Sequence, residues 1–201
     1  MSENTPDPRQ LCRPDRSVLL VIDVQGKLAE MVHEGEQLRA RVGKMMRLAQ
    51  LFKVPVVLTE QYPSGLGATV PELREVFDKL EQEKHHFEKN AFGCCGEPGF
   101  DQLLRRVASG REGGGPVDVV VTGMETHVCV QQTVLELLHQ GYRAVVVADA
   151  VSGRVPAYHE LALARFRQCG AVITCYESVA FEWAQSKDHA CFKEMSAIIK
   201  E

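Results

Sequence analysis

The sequence predicts a three-layer α/β/α domain, built on a doubly wound, six-stranded parallel sheet with helices on both faces. The first observation behind this is alternation: six short apolar runs are separated by segments of helical periodicity about 10–15 residues long. The second is that the fourth run, around Val119–Thr122, is β-branched and uncharged, as in a strand covered on both faces. The third is size. A chain of 201 residues, 45% hydrophobic and 25% charged, suits one substantial core and is short for two.

The elements follow in order. Ser17-Val-Leu-Leu-Val-Ile-Asp23 is an apolar strand that ends in a carboxylate, and 38–52 has helical periodicity through Val42, Met45, Met46, Ala49 and Phe52. Val54-Pro-Val-Val-Leu-Thr59 is the second strand, with Pro55 near its start where a missing donor is tolerated. A Gly/Pro loop covers 60–67, and Pro71 opens a short helix to Leu80. His85-His-Phe-Glu88 is a short third strand, and 100–107 is helical. The glycine-rich stretch 109–116 reads as a flexible surface loop. Val117–Thr122 is the fourth strand and 127–139 its helix. Tyr142–Ala148 is the fifth strand, 158–169 a helix, Ala171–Thr174 the sixth strand, and the C-terminus is helical.

Composition excludes several classes. Net charge is −4, so no nucleic-acid partner is expected. No apolar run approaches a membrane span, so no membrane partner is expected either. Residues 1–16 are polar, with three prolines and no apolar stretch, and read as a loose, flexible tail before a single domain at 17–201. The seven cysteines form no C-x-x-C pair, which argues against structural zinc or a disulfide framework and fits a reducing, cytoplasmic setting. There is neither a G-x-G-x-x-G after the first strand nor a phosphate-binding P-loop.

The chemistry concentrates at Val119-Val-Val-Thr-Gly-Met-Glu-Thr-His-Val-Cys129. Gly123 breaks the strand, and Val130, Val134, Leu137 and Leu138 then take up helical spacing. Cys129 thus falls in a first helical turn after the carboxyl end of a strand, where open α/β sheets bind ligands. Free N–H groups and the helix dipole favour a thiolate there, making Cys129 a candidate nucleophile. The alternative is a small buried side chain, and position alone leaves the two readings even. Asp23 could accept the thiol proton, or simply cap the segment that follows it. Lys89, near the end of the third strand, could lower the pKa of both Asp23 and the thiol, or be an ordinary surface lysine.

Four motifs come in order: Val-Ile-Asp23-Val-Gln25, Leu58-Thr-Glu-Gln-Tyr-Pro63, Glu88-Lys89-x-x-Phe92 and Thr122-Gly-Met-Glu-Thr-His-Val-Cys129-Val-x-x-Thr133. With them the chain resembles the isochorismatase-like cysteine hydrolase superfamily from Ser17 to the final helix. The likeness is strongest to the isochorismatase domain-containing protein 2 group. The resemblance implies the Rossmann-like fold of that family and a triad of Asp23, Lys89 and Cys129. It also implies a cis peptide at Met124–Glu125 and an oxyanion hole from the N–H groups of Glu125 and Cys129. Tyr62, Phe92 and Met124 are the implied substrate-binding positions.

Two departures refine what the resemblance implies. Related nicotinamidases hold a metal on an Asp-x-His with further histidines, and the interval 59–70 here has no such motif. His85 and His86 are adjacent and in a strand point to opposite faces. No catalytic metal and no cofactor are therefore expected. Gly93, then Cys94-Cys95, stands where relatives commonly carry serine, so the lysine loop is expected to differ in shape. Isochorismatases proper generally lack the cysteine, which tells against a vinyl-ether substrate. The function expected is metal-independent hydrolysis of a small amide, ureido or related acyl substrate through a thioester, by a homo-oligomer. The alternatives are a non-catalytic binding or scaffold protein that keeps the fold, and a redox sensor acting through Cys129.

Overall fold

Each of the six apolar runs becomes a strand in the computed structural model, which describes residue 7 and residues 9–111 and 117–201. In chain order the elements are β1 (Ser17–Ile22), α1 (Leu28–Met31), α2 (Gly35–Leu51), β2 (Val56–Gln61), α3 (Pro63–Leu66) and α4 (Pro71–Lys79). Then come β3 (Lys84–Lys89), α5 (Phe100–Ser109), β4 (Asp118–Met124), a π-helical turn (Thr126–Val130) and α6 (Gln131–His139). The chain finishes with β5 (Arg143–Ser152), α7 (Pro156–Gln168), β6 (Val172–Thr174), α8 (Tyr176–Ala184) and α9 (Phe192–Lys200).

The sheet runs β3-β2-β1-β4-β5-β6, and every pair is parallel. Alternate residues of each strand serve opposite layers, as the twofold pleat requires. Leu19, Val21, Leu58, Val120 and Val145 pack under α2, α4, α8 and α9, whose contributions include Met45, Leu73, Trp183 and Met195. Leu20, Ile22, Val57, Val121 and Val146 face α5, α6 and α7 through Phe100, Leu104, Val134 and Phe166. β1 and β4 are buried along their whole length, which is why their sequences carry apolar residues on both parities.

The strand order reverses between β1 and β4. In such sheets the crevice at their carboxyl ends is the ligand position. β1 and β4 approach so closely there that a Cβ on Gly123 would lie 2.1 Å from the Ile22 carbonyl oxygen. Gly123, at φ +118°, therefore stays inside β4 and does not end it.

Other boundaries also differ from expectation. β5 continues past Ala148 to Ser152, because its pairing with β4 slips between Val121 and Gly123 and then resumes at Val151. β3 extends to Lys89, pairing it with Gln61 at the end of β2. The loop expected at 60–67 contains α3, and the turn after β4 is π-helical instead of α-helical.

The described part of the expected loose tail is fastened to the domain. Cys12 is buried, its N–H donates to Glu182 Oε2 at 2.6 Å, and Arg143 donates to the Gln10 carbonyl. Residues 112–116 of the expected glycine-rich loop lie outside the described residues. Among the described residues no helix is long and apolar enough to cross a membrane.

Candidate active site

Four strand ends converge on one floor. Asp23 follows β1 with φ +52°, a left-handed turn that aims its carboxylate back across the sheet rim. Lys89 closes β3 and is 1% exposed. Its Nζ donates to Asp23 Oδ2 at 2.6 Å and to the carbonyls of Ala91 and Phe92 at 3.1 and 2.8 Å. An ammonium this deeply buried needs such a full set of acceptors. Thr59, on β2, donates its hydroxyl to Asp23 Oδ1 at 2.7 Å. Cys129 sits in the π-helical turn, 6% exposed, and its thiol donates to Gln61 Oε1 at 3.5 Å.

Electrostatics at this floor differ from the expectation for a helix N-terminus. Burial, and then the neighbouring Asp23 charge, push the Cys129 thiol up to about 12 against the pull of Lys89. Cys129 therefore rests as a thiol at neutral pH. Burial also pushes the Asp23 carboxyl up from its ordinary range, opposed by Lys89 and then by the Thr59 hydroxyl. The site thus pairs a buried, protonated thiol with an aspartate of increased basicity.

Sequence reasoning missed the side chains that frame the floor. The Gln25 carboxamide clamps the Gln61 backbone, accepting from its N–H at 2.7 Å and donating to its carbonyl at 3.1 Å. It also donates to the Gly67 carbonyl at 2.6 Å, so one side chain fixes the Gln61 position and the loop above it. Thr133 Oγ1 donates to the Cys129 carbonyl at 2.7 Å and accepts from the Cys94 N–H at 3.0 Å, joining the lysine loop to the turn that carries Cys129. A signal was available for Gln61, since it stands in the motif Leu58-Thr-Glu-Gln-Tyr-Pro63 at the polar end of β2. Thr59 and Thr133 stand in the quoted motifs, but nothing in the sequence gives either a role.

Above the floor is a cavity of about 300 Å³. Leu28, Met124 and Val128 line it, and Tyr62, Leu66 and Phe92 stand around its mouth. Tyr62 is 55% and Phe92 53% exposed, whereas Met124 is buried. The Met124–Glu125 peptide bond is cis. The Glu125 carbonyl accepts from the N–H groups of Val128 and Val130 at 3.0 and 3.1 Å. Larger grooves of about 400 and 550 Å³ run along α2 and α4, but no cysteine lines them.

Among the described residues, one group combines histidine and carboxylates at metal-ligand separations: Glu60, His86 and Glu88, with donor atoms within 4.8 Å of one another. Glu60 Oε1 is already held by the N–H and hydroxyl of Thr69 at 2.7 Å, and His86 Nε2 lies 3.1 Å from Oε2. By strand parity these residues face the layer opposite Lys89 and Gln61, away from Cys129.

A parallel six-stranded sheet with a cysteine, an aspartate and a lysine gathered at its switch point is the frame of an isochorismatase-like α/β protein. The family model for the isochorismatase domain matches residues 17–178. Isochorismatase domain-containing protein 2A of Mus musculus is 36% identical over 188 residues, 94% of this chain and 84% of that protein. The MAR1 ribonuclease of Caenorhabditis elegans superposes with a TM-score of 0.84 at 32% identity, over 96% of this chain and 93% of the other. YcaC from Pseudomonas aeruginosa, with hexane-2,5-diol and covalent acrylamide, gives 0.83 at 23% identity, over 95% and 91%. The chain belongs to the isochorismatase family.

Proposed function

We propose that the protein is a metal-independent cysteine hydrolase of small amide, ureido or related acyl substrates, with Asp23, Lys89 and Cys129 as its triad. The observation that carries this reading is the buried Asp23–Lys89 pair placed beside a thiol at the floor of an apolar cavity. A structural role alone gives no reason to bury a lysine, an aspartate and a cysteine together at the strand ends.

The chemistry follows from the resting protonation states. As Cys129 Sγ bonds to the acyl carbon, its proton passes to Asp23. The charge that develops on the acyl oxygen is met by the N–H groups of Glu125 and Cys129. The leaving amine departs with the proton from Asp23, giving a thioester. Asp23 then takes a proton from water, whose oxygen attacks the thioester and releases the acid and the thiol. Lys89 keeps Asp23 in place and offsets the negative charge that builds beside it. Tyr62, Phe92 and Met124 contact the substrate's apolar part, and its volume is bounded by the cavity.

The covalent acrylamide on the Pseudomonas aeruginosa relative suggests a direct probe. Incubation with acrylamide should label Cys129 before the other cysteines, as read by peptide mass spectrometry. A screen of amides, ureas and carbamoyl compounds should then yield one that accumulates an acyl adduct on Cys129. Equal labelling of the seven cysteines, with no turnover of any compound, would leave a binding or scaffold role as the better account. RNA belongs in the same screen because of the Caenorhabditis elegans relative. The cavity lining offers two carboxylates and no exposed cation for a polyanion.

A further inference from the structure

Arg154 lies in the loop between β5 and α7, and the catalytic scheme above does not use it. Its side chain and backbone both reach Glu125. The Arg154 Nε donates to Glu125 Oε1 at 2.7 Å, its Nη2 to Oε2 at 3.2 Å and its backbone N–H to Oε1 at 3.2 Å. The Arg154 side chain is 51% exposed and the Glu125 side chain 8%. An ion pair with one partner so exposed contributes little to stability. Its geometry is the informative part, because a two-pronged fork fixes orientation as well as distance.

The loop that carries Arg154 is itself anchored. The Ser152 hydroxyl donates to the His33 carbonyl at 2.6 Å, and the His33 N–H donates to the Gly153 carbonyl at 3.0 Å. Gly153 packs so closely on the nucleophile turn that a Cβ there would sit 3.1 Å from His127 Nδ1. Residue 125 is therefore gripped twice: by Arg154 through its carboxylate, and by Val128 and Val130 through its carbonyl. With both held, the plane of the Met124–Glu125 peptide has little freedom left.

We propose that Arg154 is a positioning residue: acting through the Glu125 carboxylate, it aims the Glu125 N–H at the acyl oxygen of a substrate on Cys129. This rests on the hydrolase reading above. Its test uses two electrophiles that differ in where charge develops. When Cys129 gives up its proton to Asp23 and its sulfur bonds to the terminal carbon of acrylamide, the electrons shift through the alkene to leave an enolate with its charge on the amide oxygen, and solvent then protonates the α carbon. Iodoacetamide alkylates the Cys129 sulfur by direct displacement: the S–C bond forms as the C–I bond breaks, and the charge leaves on iodide. An aimed N–H assists only the first reaction.

Labelling rates at Cys129 would be measured by mass spectrometry for wild type, Arg154→Ala, Arg154→Lys, Glu125→Gln and the Glu125→Gln/Arg154→Ala double variant, with thermal melts as controls. Arg154→Ala should slow acrylamide addition about tenfold while iodoacetamide is unaffected, as expected for a misplaced group remote from the bond being made. Arg154→Lys, which keeps the charge but loses the fork, should fall between. Removing Arg154 should add nothing further in the Glu125→Gln background. Equal slowing of both probes, or an unchanged ratio, overturns the proposal. A wild-type enzyme that adds acrylamide no faster than a free thiol of matched ionisation removes the hydrolase reading itself, and this proposal with it.

Discussion

Burial, and after it the charge of Asp23, holds Cys129 as a thiol, and the second of these is also the proposed route by which the thiol is ionised. The Asp23 carboxylate helps keep the proton on sulfur through its charge, and is also the proposed acceptor of that proton. This conflict makes a sharp prediction for Asp23→Asn. Without the neighbouring charge, and with the Lys89 ammonium left unbalanced, the thiol should ionise at lower pH. Alkylation by iodoacetamide, followed across pH, should therefore shift its midpoint downward from about 12. Hydrolysis should nevertheless fall by roughly 10²–10⁴-fold, the usual worth of a general base. An unshifted thiol, or retained turnover, would separate Asp23 from the nucleophile. In the wild type, turnover should fade as pH drops through the raised Asp23 pKa, so the acid limb should lie above the ordinary carboxylate range. The sequence placed Asp23, Lys89 and Cys129 at strand ends by position and motif. It suggested a lowered thiol pKa because a helix N-terminus was visible in it, whereas the depth of burial was not.

At the scale of elements, β4 and the turn after it form one device. The strand must lie close enough to β1 to bring Asp23 beside Cys129, and Gly123 is where the two backbones nearly touch. Gly123→Ala would drive a methyl into the Ile22 carbonyl at a φ of +118°, and nothing soft can move aside. The expected cost is about 2–4 kcal/mol, seen as a lower urea midpoint with an unchanged slope. A neutral substitution would mean that β1 and β4 sit farther apart than described. The strand and helix order was legible because buried parallel strands need apolar residues on both faces. The end of β5 was not. Asp149 and Ser152 carry no strand signal, and they join the strand only because its pairing with β4 slips and resumes. That slip carries the chain to Gly153 and Arg154, so the Glu125 clamp was hidden in the sequence for the same reason.

At the scale of the whole molecule, α7 turns one apolar face to the sheet and leaves another uncovered. Ala162, Leu163 and Phe166 are buried against the α5–α6 side, whereas Val155 at the N-cap of α7 and Tyr158 and Leu161 within it, three residues apart, are 39%, 50% and 68% exposed. Tyr158 and Leu161 at that spacing share one helix face, and with Val155 at its start they leave an apolar stripe exposed within one protomer. The homo-oligomer expected from the sequence would supply a second copy as the partner of that stripe. Tyr158 also packs against His127 of the nucleophile turn, with ring centroids 5.2 Å apart, so association through α7 would brace the turn that carries Cys129. Leu161→Glu tests this with little risk to the fold, because the side chain is mostly in solvent within one protomer. Sedimentation velocity at micromolar concentration should show an assembly for the wild type and a smaller species for the variant, with both retaining the same circular dichroism. If the assembly supports the site, acrylamide labelling of Cys129 should slow in the dissociated variant and recover as protein concentration rises. A wild type that is monomeric throughout would leave the α7 stripe without a partner of its own kind, and the catalytic site complete in a single chain.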